Sequence, residues 1–343
     1  MIEILACGPL GSVQDLGREG YLRFGVGEAG AMDRLALMIG NLMLDNPAGL
    51  AGIEIAVFPF QARFLQDIAF AVTGADRAAQ LDGRPLLPWW TQVARAGQVL
   101  TLSGSGVDHG AGARSYLLCE GGMDVPLVLG SRSTQLRGRF GGHMGRTLVQ
   151  GDIVRSGVAE RRGASSPPQD CSYGFGVLPP EHALPWAAFC NAGAGNPDIA
   201  TAVRVVPAAE YRNFDDVSVQ NFWDSVWRIS AQSDRYGFRL AGPGLALREP
   251  METRSHGIVP GVIQVPPNGQ PIIQMRDAQP TGGYPKVGTV IEADLWRLSQ
   301  APTGAWIRFV CVSYEASVCA LDDLDAYLAR LKRHIALYRQ AAA

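Results

Sequence analysis

The fold is decided by one stretch, Gly261-Val-Ile-Gln-Val-Pro-Pro-Asn-Gly-Gln-Pro-Ile-Ile-Gln-Met-Arg-Asp-Ala-Gln-Pro-Thr-Gly-Gly-Tyr-Pro-Lys286. Two apolar runs, from Val262 to Val265 and from Pro271 to Met275, flank the segment Pro266-Pro-Asn-Gly269. Proline, asparagine and glycine are the residues that tight turns favour, so the two runs predict a β-hairpin. We therefore expect strands rather than helices at the centre of this part of the chain.

The segment that follows the hairpin is dense in polar side chains. It contains Arg276, Asp277, Gln279, Thr281, Tyr284 and Lys286, with Gly282 and Gly283 between them. Glycine lets backbone N–H groups approach a ligand or another chain closely. Lys286 is also one of only two lysines among the 30 basic residues. Two interpretations stay open for this segment, a solvated turn or a binding loop carried by rigid strands.

Length and composition limit the classes of function. A chain of 343 residues is long enough for about two domains with buried cores. Hydrophobic residues make up 47% and charged residues 18%, and the formal net charge is −2. No field of one sign is therefore available to attract nucleic acid or an anionic membrane, and the expected partner is a small molecule or another protein. The 41 glycines and 22 prolines show no period and favour a β-rich architecture.

The cysteines and the N-terminus indicate the compartment. The six cysteines show no Cys-x-x-Cys spacing; they are Cys7, Cys119, Cys171, Cys190, Cys311 and Cys319. We expect them to be reduced thiols in a cytoplasmic protein. The start Met1-Ile-Glu-Ile-Leu-Ala-Cys7 has neither the basic nor the apolar region of a secretory leader. No run approaches the roughly 18–20 apolar residues of a membrane helix.

Short β-like runs separated by turn signals dominate the chain. In the N-terminal half they are Ile53 to Phe58, Ile68 to Thr73, Gly97 to Leu102 and Ser115 to Glu120. Their cadence predicts a closed or strongly curved antiparallel sheet rather than alternating βαβ units. Helical periodicity is clearest at residues 32–44 and in a C-terminal stripe, Leu321, Leu324, Leu328, Leu331, Ile335 and Tyr338. The pattern predicts a mostly β fold with few helices.

Several motifs of catalytic and cofactor sites are tested by the spacing of their residues. Gly25-Val-Gly-Glu-Ala-Gly30 satisfies G-x-G-x-x-G, but no clear strand precedes it, so a Rossmann site is not predicted. The chain contains no P-loop sequence and no G-x-S-x-G nucleophile elbow. The five histidines lack the spacing of a metal site, so no metal is expected. His143, in a loop rich in arginine and glycine, is a candidate acid–base group.

The loop around His143 carries three arginines among hydroxyl residues and glycines, namely Arg132, Arg137 and Arg139. Guanidinium groups bind carboxylate or phosphate through paired hydrogen bonds, so the loop is a candidate anion clamp. An arginine network that braces loops explains the same residues. A similar choice holds for four aspartates that lie near arginines, namely Asp15, Asp33, Asp234 and Asp277. Such carboxylates either fix loops or orient a substrate amide and accept its proton.

Ordered sequence blocks resemble a known family. They are Gly8-Pro-Leu with Val13-Gln-Asp-Leu-Gly-Arg18, Gly30-Ala-Met-Asp33, Leu129-Gly-Ser-Arg-Ser-Thr134, Ser233-Asp-Arg-x-Gly237, Ile263-Gln-Val-Pro266 and Thr281-Gly-Gly-Tyr-Pro285. Together they resemble the allophanate hydrolase subunit 2 group. This group is also described as the carboxyltransferase A/B subdomains of urea carboxylase, the antagonist of a sporulation-kinase inhibitor, and the C subunit of bacterial 5-oxoprolinase. The resemblance covers about residues 1–155 and 203–315.

The resemblance implies a fold and a partner. It implies two cyclophilin-like β-barrel domains, which we place at residues 1–156 and 203–318. Residues 157–202, rich in Pro, Gly and Ser, are interpreted as a linker or excursion, and residues 319–343 as an amphipathic helix. The implied partner is a companion subunit that is similar to the kinase inhibitor or to allophanate hydrolase subunit 1.

The resemblance also implies one of two reactions at a site shared with the companion. In the first, a lactam such as 5-oxoproline is activated with ATP, which the two subunits share, and is opened by water. In the second, carboxybiotin gives its carboxyl group to urea or a related amide. The chain has no biotin-carrier lysine flanked by methionines and no segment of ATP-grasp size, which favours the first reaction. A regulatory partner-binding protein is the third possibility.

Either reaction needs donors for charge on an amide oxygen and a group that manages a proton at the nitrogen. Under the resemblance, Arg235, Lys286 and the amides of Gly282 and Gly283 are the candidate donors, and Asp277 and Tyr284 handle the proton. The candidate binding residues are Asp15, Arg18, Asp33, Arg34, Arg132, Ser133, Gln264, Gln279 and Thr281.

Two departures from the family pattern leave the choice of substrate open. Pro207-Ala-Ala-Glu210 stands where the family usually shows a Pro-Gly-Pro-Gln-like turn. Pro280 precedes Thr281 where a second threonine is common.

Overall fold

The computed structural model describes residues 1–104, 112–157, 174–184, 200–251 and 254–342, which belong to two compact units. The first unit consists of Met1–Arg18, Ala29–Ala187 and Asp325–Ala343, and the second of Glu19–Glu28 and Ala188–Leu324. Much of the segment 157–202, interpreted above as a linker, lies outside the described residues. The domain bounds drawn from the sequence stay a prediction.

The first unit contains two antiparallel sheets. The larger sheet has the spatial order β11-β1-β4-β9-β6-β7 and consists of β1 (Ile2–Ala6), β4 (Phe60–Phe64), β6 (Gln80–Leu81), β7 (Arg84–Pro85), β9 (Val99–Leu102) and β11 (Ile153–Val154). The smaller sheet has the order β2-β3-β10-β5-β8 and consists of β2 (Ser12–Gln14), β3 (Gly52–Ile55), β5 (Ile68–Gly74), β8 (Thr91–Ala94) and β10 (Ser115–Cys119). The antiparallel cadence predicted from the sequence is confirmed.

Both sheets contribute to one apolar core. Phe64 of the larger sheet and Phe70 of the smaller sheet are fully buried, and their ring centroids lie 4.8 Å apart. Full burial of one such side chain stabilises the fold by about 1.5–3 kcal/mol. Strand β4 was not predicted, although its residues alternate between buried and half-buried as a half-buried strand requires. Its signal is an alternation that includes Gln61 and Arg63, not a continuous apolar run.

The helix predicted at residues 32–44 is confirmed as α1 (Arg34–Met43). It begins after Asp33, whose side chain accepts a hydrogen bond of 2.9 Å from the Ala36 amide and so caps the helix. It ends before Asp45, whose φ of 61° is left-handed and breaks the helical path. A short helix, α2 (Pro180–Ala183), also belongs to this unit.

The second unit is built on a closed barrel of seven strands in the order β12-β19-β16-β17-β14-β13-β20. The strands are β12 (Thr201–Pro207), β13 (Val226–Ile229), β14 (Gly237–Ala241), β16 (Val262–Gln264), β17 (Ile272–Gln274), β19 (Lys286–Val290) and β20 (Trp306–Cys311). The parallel pairing of β12 with β20 closes the barrel, and the other pairings are antiparallel. A separate short ladder joins β15 (His256–Gly257) to β18 (Thr281–Gly282).

The predicted hairpin is confirmed as β16 and β17. Ile263 faces Ile273 across the pair, and both side chains are fully buried. The Gly269 amide donates to the Pro266 carbonyl at 2.9 Å, with Gly269 at φ 75°, as the predicted turn requires. Two helices accompany the barrel, α3 (Asp216–Asp224) and α4 (Glu292–Gln300).

The predicted C-terminal helix is confirmed and is longer than expected, because α5 extends over Tyr314–Ala342. Leu328, Leu331 and Ile335 of the predicted stripe are buried, and the Tyr338 ring lies 4.7 Å from the ring of Phe175. Leu321 is exposed, so the stripe is covered only in the later part of the helix. The mostly β fold class with few helices is confirmed.

Candidate active site

The segment after the hairpin meets the barrel at one place on its rim. Register pairs Gln264 of β16 with Lys286 of β19, and pairs Gly282 of β18 with His256 of β15. A Cβ atom on Gly282 would lie 2.5 Å from the side-chain nitrogen of Gln264, so glycine lets the Gln264 amide lie against this backbone. The strand pairings therefore bring Gln264, Gly282 and Lys286, three predicted site residues, to one rim.

Lys286 lies in an ionic cluster that the sequence did not reveal. Its Nζ donates to Oε1 of Glu210 at 3.0 Å, and the side chains of Lys286 and Glu210 are 14% and 20% exposed. His256 Nε2 lies 3.7 Å from the same Glu210 oxygen. The other ring nitrogen, Nδ1, lies 2.7 Å from the Arg254 carbonyl oxygen, which can only accept a hydrogen bond. Nδ1 therefore carries a hydrogen, and Nε2 faces the carboxylate.

Glu210 was noted in the sequence only as a departure from the family pattern, and His256 only for its lack of metal spacing. Glu210 belongs to a 3₁₀-helix, Ala209–Asn213, that follows β12. Pro207 at the end of β12 pairs with Gly288 of β19, so the next residues fall beside the start of β19, where Lys286 lies. No sequence motif joins residues this far apart in the chain. The cluster can be recognised only from the strand register, which brings these residues together.

The Gln264 side chain organises the backbone of the glycine loop. Its oxygen accepts a hydrogen bond from Gln274 at 3.1 Å, and its nitrogen donates to the Tyr284 carbonyl at 3.4 Å. The Tyr284 side chain is 46% exposed, and Thr281 is also exposed. The loop thus presents the Tyr284 phenol and the Thr281 hydroxyl outward from a backbone that Gln264 holds in place.

The predicted donor Arg235 and the predicted proton-handling Asp277 are paired with each other. Arg235 Nε and Nη2 each donate to one Asp277 oxygen at 3.0 Å, and both side chains are less than a tenth exposed. Such a two-bond pair between guanidinium and carboxylate is geometrically specific. Nearby, the Tyr236 hydroxyl donates to Gln279 Oε1 at 2.9 Å. The structure therefore keeps Arg235 and Asp277 together, and their catalytic roles stay predictions.

In the first unit, Asp15 is the centre of a hydrogen-bonded cluster, which we call the Asp15 cluster. Its carboxylate accepts bonds from the hydroxyls of Ser131 and Ser133 at 2.7 and 2.5 Å, and from the amides of Gly17 and Arg132 at 2.8 and 2.5 Å. The side chain is 8% exposed. The cluster ties residues 15–18 to residues 131–133.

Arg18 and Arg132 lie in the two segments that the Asp15 cluster joins. Arg18 is fully buried, donates to the Ser133 carbonyl at 2.6 Å and lies 4.9 Å over the Phe140 ring. The Arg132 side chain lies 3.8 Å from Asp124. Of the two interpretations left open for this loop, bracing is the one that the contacts of Arg18 support.

Asp33 belongs to a second buried hydrogen-bond network in the first unit. Its amide donates to the Tyr116 hydroxyl at 2.7 Å, and that hydroxyl donates to Glu54 at 2.7 Å. Glu54 also accepts the Met32 amide at 2.8 Å. Burial, together with the charge of Glu54, raises the pKa of Tyr116 well above its usual range. These bonds fix the start of α1, and Arg34, its first residue, is half-buried.

His143, the candidate acid–base group, belongs to an ion-pair group with Arg146 and Asp152. Both terminal nitrogens of Arg146 lie 2.7 Å from Asp152 oxygens, and His143 Nε2 lies 3.4 Å from the same carboxylate. The Arg146 hydrogen bonds lower the pKa of Asp152 to about 2. The geometry is that of a braced loop, and the acid–base role of His143 stays a prediction.

The glycine motif has a packing explanation in the second unit. Leu22–Phe24 is a short 3₁₀-helix, whereas a Rossmann site needs a strand before the motif. A Cβ atom on Gly27 would lie 2.7 Å from the Ala278 carbonyl oxygen, so glycine permits the two segments to approach. This agrees with the rejection of a dinucleotide site from the sequence.

Four of the six cysteines lie in the parts of the chain that the structure describes. There, Cys7, Cys119, Cys311 and Cys319 form no disulfide, while Cys171 and Cys190 lie outside. Burial raises the pKa of the Cys7 thiol to about 11 and that of Cys119 to about 12, so neither is a reactive thiolate. In the same residues, no group of three or more metal-ligating side chains occurs, and no helix has the length and apolarity to cross a membrane.

Comparison with known proteins identifies the family. A family model described as "Carboxyltransferase domain, subdomain A and B" matches residues 24–311. The chain belongs to this family. It is 40% identical over 331 residues to the 5-oxoprolinase C subunit of Escherichia coli (strain K12), and the match covers 96% of this chain and 97% of that one. It is 36% identical to the 5-oxoprolinase C subunit of Haemophilus influenzae, of which 98% is covered.

Other members of the carboxyltransferase family are much longer. The chain is 29% identical to urea amidolyase of Lachancea kluyveri and spans only 18% of its length. Among solved structures, Kluyveromyces lactis urea carboxylase matches with a TM-score of 0.77 at 27% identity, over 92% of this chain and 28% of that one. The urea amidolyase structure from K. lactis gives a TM-score of 0.75 and is covered over 19% of its length. The relatives are enzymes or enzyme subunits, of hydrolase type in the case of 5-oxoprolinase.

Proposed function

We propose that this chain is a subunit of an ATP-dependent hydrolase that opens a small lactam, with 5-oxoproline as the first substrate to test. One observation carries the proposal. The match to the C subunit of 5-oxoprolinase extends over nearly the whole of both chains, with 97% of the relative covered at 40% identity. A lactamase subunit of the same length therefore accounts for the entire chain.

The barrel-rim cluster supports the proposal chemically. Hydrolysis of a lactam places charge on the amide oxygen and needs a proton to be moved between water and the ring nitrogen. The Lys286 ammonium group supplies a donor at the rim, and the strand register places the Gly282 segment beside it. A carboxylate stands beside them in Glu210.

Carboxyl transfer from carboxybiotin is the second candidate, because the family model is that of a carboxyltransferase domain. The chain spans only 18–28% of the longer urea-processing relatives, so their whole activity needs segments beyond this one. We rank this reaction below lactam opening for that reason.

The proposal includes partners and a compartment. A lactamase subunit of this kind needs a companion subunit. The chain has no P-loop sequence, and a 3₁₀-helix stands where the G-x-G-x-x-G motif at Gly25–Gly30 would need a strand, so we assign ATP to a site on the companion or shared with it. We place the chain in the cytoplasm, where thiols stay reduced, which fits the four cysteines of the described residues that form no disulfide. We expect no partner among nucleic acids or membranes, because the net charge is only −2.

The experiment is to co-express the chain with a companion subunit and to follow ADP release in every arm and, in the arm with carboxylated biotin, transfer of the carboxyl group to urea. The arms contain 5-oxoproline, urea, or urea with carboxylated biotin. We expect ADP release with 5-oxoproline in the absence of biotin. Turnover only in the biotin arm would replace the lactamase with the carboxyltransferase. A stable complex that is silent in all arms would overturn both enzyme assignments and favour a regulatory partner-binding role.

A further inference from the structure

Only one oxygen of the Glu210 carboxylate accepts a hydrogen bond from the residues that the structure describes. Oε1 binds Lys286 and lies near His256, as described above. Oε2 is buried and has no hydrogen-bond partner among the residues that the structure describes. Leaving a buried polar atom without a partner costs about 1–3 kcal/mol, so each such atom in a native protein calls for an explanation.

Asp277, the other candidate for the base, already has both oxygens bonded. Asp277 has a two-bond pairing with Arg235, so both of its oxygens are engaged. Glu210 keeps 20% of its side chain exposed, whereas Asp277 keeps 7%. Rotation about the last torsion of a glutamate exchanges its two oxygens at small cost. Either oxygen of Glu210 can therefore bind Lys286 while the other keeps its lone pairs for a proton.

We propose that Glu210 is the catalytic proton acceptor of the site and that Lys286 is its paired proton donor. The inference rests on the proposed lactam-opening function and goes further, because it assigns the base to a residue that differs from the usual family sequence. Three observations carry it: the 3.0 Å contact with Lys286, the unpartnered Oε2, and the position of both groups beside the glycine loop.

The proton transfers balance over the whole reaction. Transfer of a phosphoryl group from ATP to the lactam oxygen, with release of ADP and loss of the N–H proton to solvent, leaves a C=N bond in the ring. Water then forms a C–O bond to that carbon, and the π electrons of the C=N bond move to nitrogen. Glu210 accepts the proton that water loses, and Lys286 Nζ gives a proton to the nitrogen. Proton return across the 3.0 Å contact restores both groups. When the C–N bond breaks, its electron pair goes to the nitrogen, which Lys286 protonates, while Glu210 accepts the proton of the new hydroxyl as the C=O bond forms. A second water then cleaves the acyl phosphate to the carboxylate and inorganic phosphate.

His256 connects the pair to solvent. Its Nδ1 hydrogen is held by the Arg254 carbonyl, which leaves Nε2, 3.7 Å from Glu210, as the nitrogen that gains or loses a proton. The His256 side chain is 40% exposed. An imidazole in this position can exchange protons between a partly buried carboxylate and water.

The first test uses the complex with its companion subunit. We expect Glu210→Gln to lower kcat for 5-oxoproline by about 100- to 10,000-fold, the usual contribution of a positioned acid or base, with KM for ATP unchanged. Formate should restore part of the activity of Glu210→Ala, because it supplies a carboxylate in the vacated space. The control is Glu249→Gln, the same change at an exposed carboxylate of the second unit, which should turn over like wild type.

Two outcomes would overturn the assignment. One is turnover near wild type in Glu210→Gln; the other is a folded Glu210→Ala chain that formate does not restore. Silence of the wild-type complex with 5-oxoproline would instead refute the proposed function.

A second measurement does not depend on any substrate. The chain has only two lysines, Lys286 and Lys332, so the side-chain ammonium signals of ¹⁵N-lysine protein can be assigned from one variant. We expect Glu210→Gln to shift the Lys286 signal and speed its hydrogen exchange, while Lys332 is unchanged. An unaltered Lys286 signal would refute the pair even if the enzyme assay were silent.

Discussion

The two units each contain a carboxylate that organises its surroundings, and the two carboxylates differ in how fully they are bonded. Asp15 accepts four hydrogen bonds from the protein's own donors and is 8% exposed. Glu210 is held by one lysine, lies near one histidine and keeps one oxygen without a partner in the described residues. The first arrangement uses up the bonding capacity of the charge, and the second leaves part of it for a ligand.

This difference separates predicted site residues that hold the fold together from those that can bind a ligand. A carboxylate that receives several amide and hydroxyl hydrogens has few lone pairs left for a ligand. Such a group builds loops. A carboxylate that is partly exposed and partly unbonded has capacity for substrate or water. By this criterion we expect the Asp15 cluster to be structural and Glu210 to be chemical.

Removal of the Asp15 carboxylate should have the largest effect on stability. Asp15→Ala leaves the donors of Ser131, Ser133, Gly17 and Arg132 without their acceptor, at a cost of about 3–5 kcal/mol of unfolding free energy. Urea unfolding followed by circular dichroism measures this cost. Asp124→Ala, at a carboxylate whose side chain is 56% exposed, is the control and should change little. Equal unfolding free energies in the two variants would mean that the Asp15 carboxylate does not stabilise the fold through its hydrogen bonds.

The Arg235–Asp277 pair should show an effect of similar size, and it tests the predicted catalytic roles. Arg235→Met leaves Asp277 as an uncompensated buried charge and should cost about 3–5 kcal/mol. The double variant Arg235→Met/Asp277→Leu removes both charges and should recover much of that loss. Activity of the double variant in the complex then decides its role. A stable but inactive double variant would place the pair in the site, and an active one would make it structural.

Much of the fold was accessible from the sequence because it is encoded locally. The β16–β17 hairpin follows from the turn residues between two apolar runs, and α1 follows from its apolar period. The short strand β4 carries only a local alternation and no continuous apolar run, so it was missed. The pairing of each strand with its neighbours depends on distant segments and is not visible in any single window of the chain.

The candidate site was accessible only in part, for the same reason. Lys286, Gln264 and Gly282 were found because they lie in one dense segment with a family-like motif. Glu210 and His256 were missed because the register of β12 with β19, and of β15 with β18, brings them to that segment. Conversely, Asp15 and Asp33 matched the family blocks, and the structure places both in hydrogen-bonded networks of the first unit.

A smaller effect, which depends on pH, is expected at Asp152. Hydrogen bonds from Arg146 lower its pKa to about 2, so the charged carboxylate stabilises the folded chain above its usual pKa of about 4, and that contribution is lost as pH falls through about 2. Asp152→Asn should therefore cost about 1–2 kcal/mol at pH 7, a value reduced because Arg146 is 38% exposed. Urea unfolding at pH 7 and pH 3 should show the difference from wild type shrinking at the lower pH. A constant difference would mean that Asp152 acts through packing.

The smallest change in stability should come from the residue with the largest expected effect on catalysis. Glu210→Gln keeps the shape of the side chain and an oxygen that can still accept a hydrogen bond from Lys286. It also removes a negative charge that is mostly buried and that has one oxygen without a partner in the described residues. We expect the unfolding free energy to change by less than about 1 kcal/mol, since partly exposed ion pairs contribute little. The measurement is urea unfolding of the isolated chain beside Asp15→Asn, the same chemical change in the Asp15 cluster. If Glu210→Gln destabilised the chain as much as Asp15→Asn, Glu210 would belong with the structural carboxylates, because a group that holds the fold by its charge has little of that charge to offer a substrate.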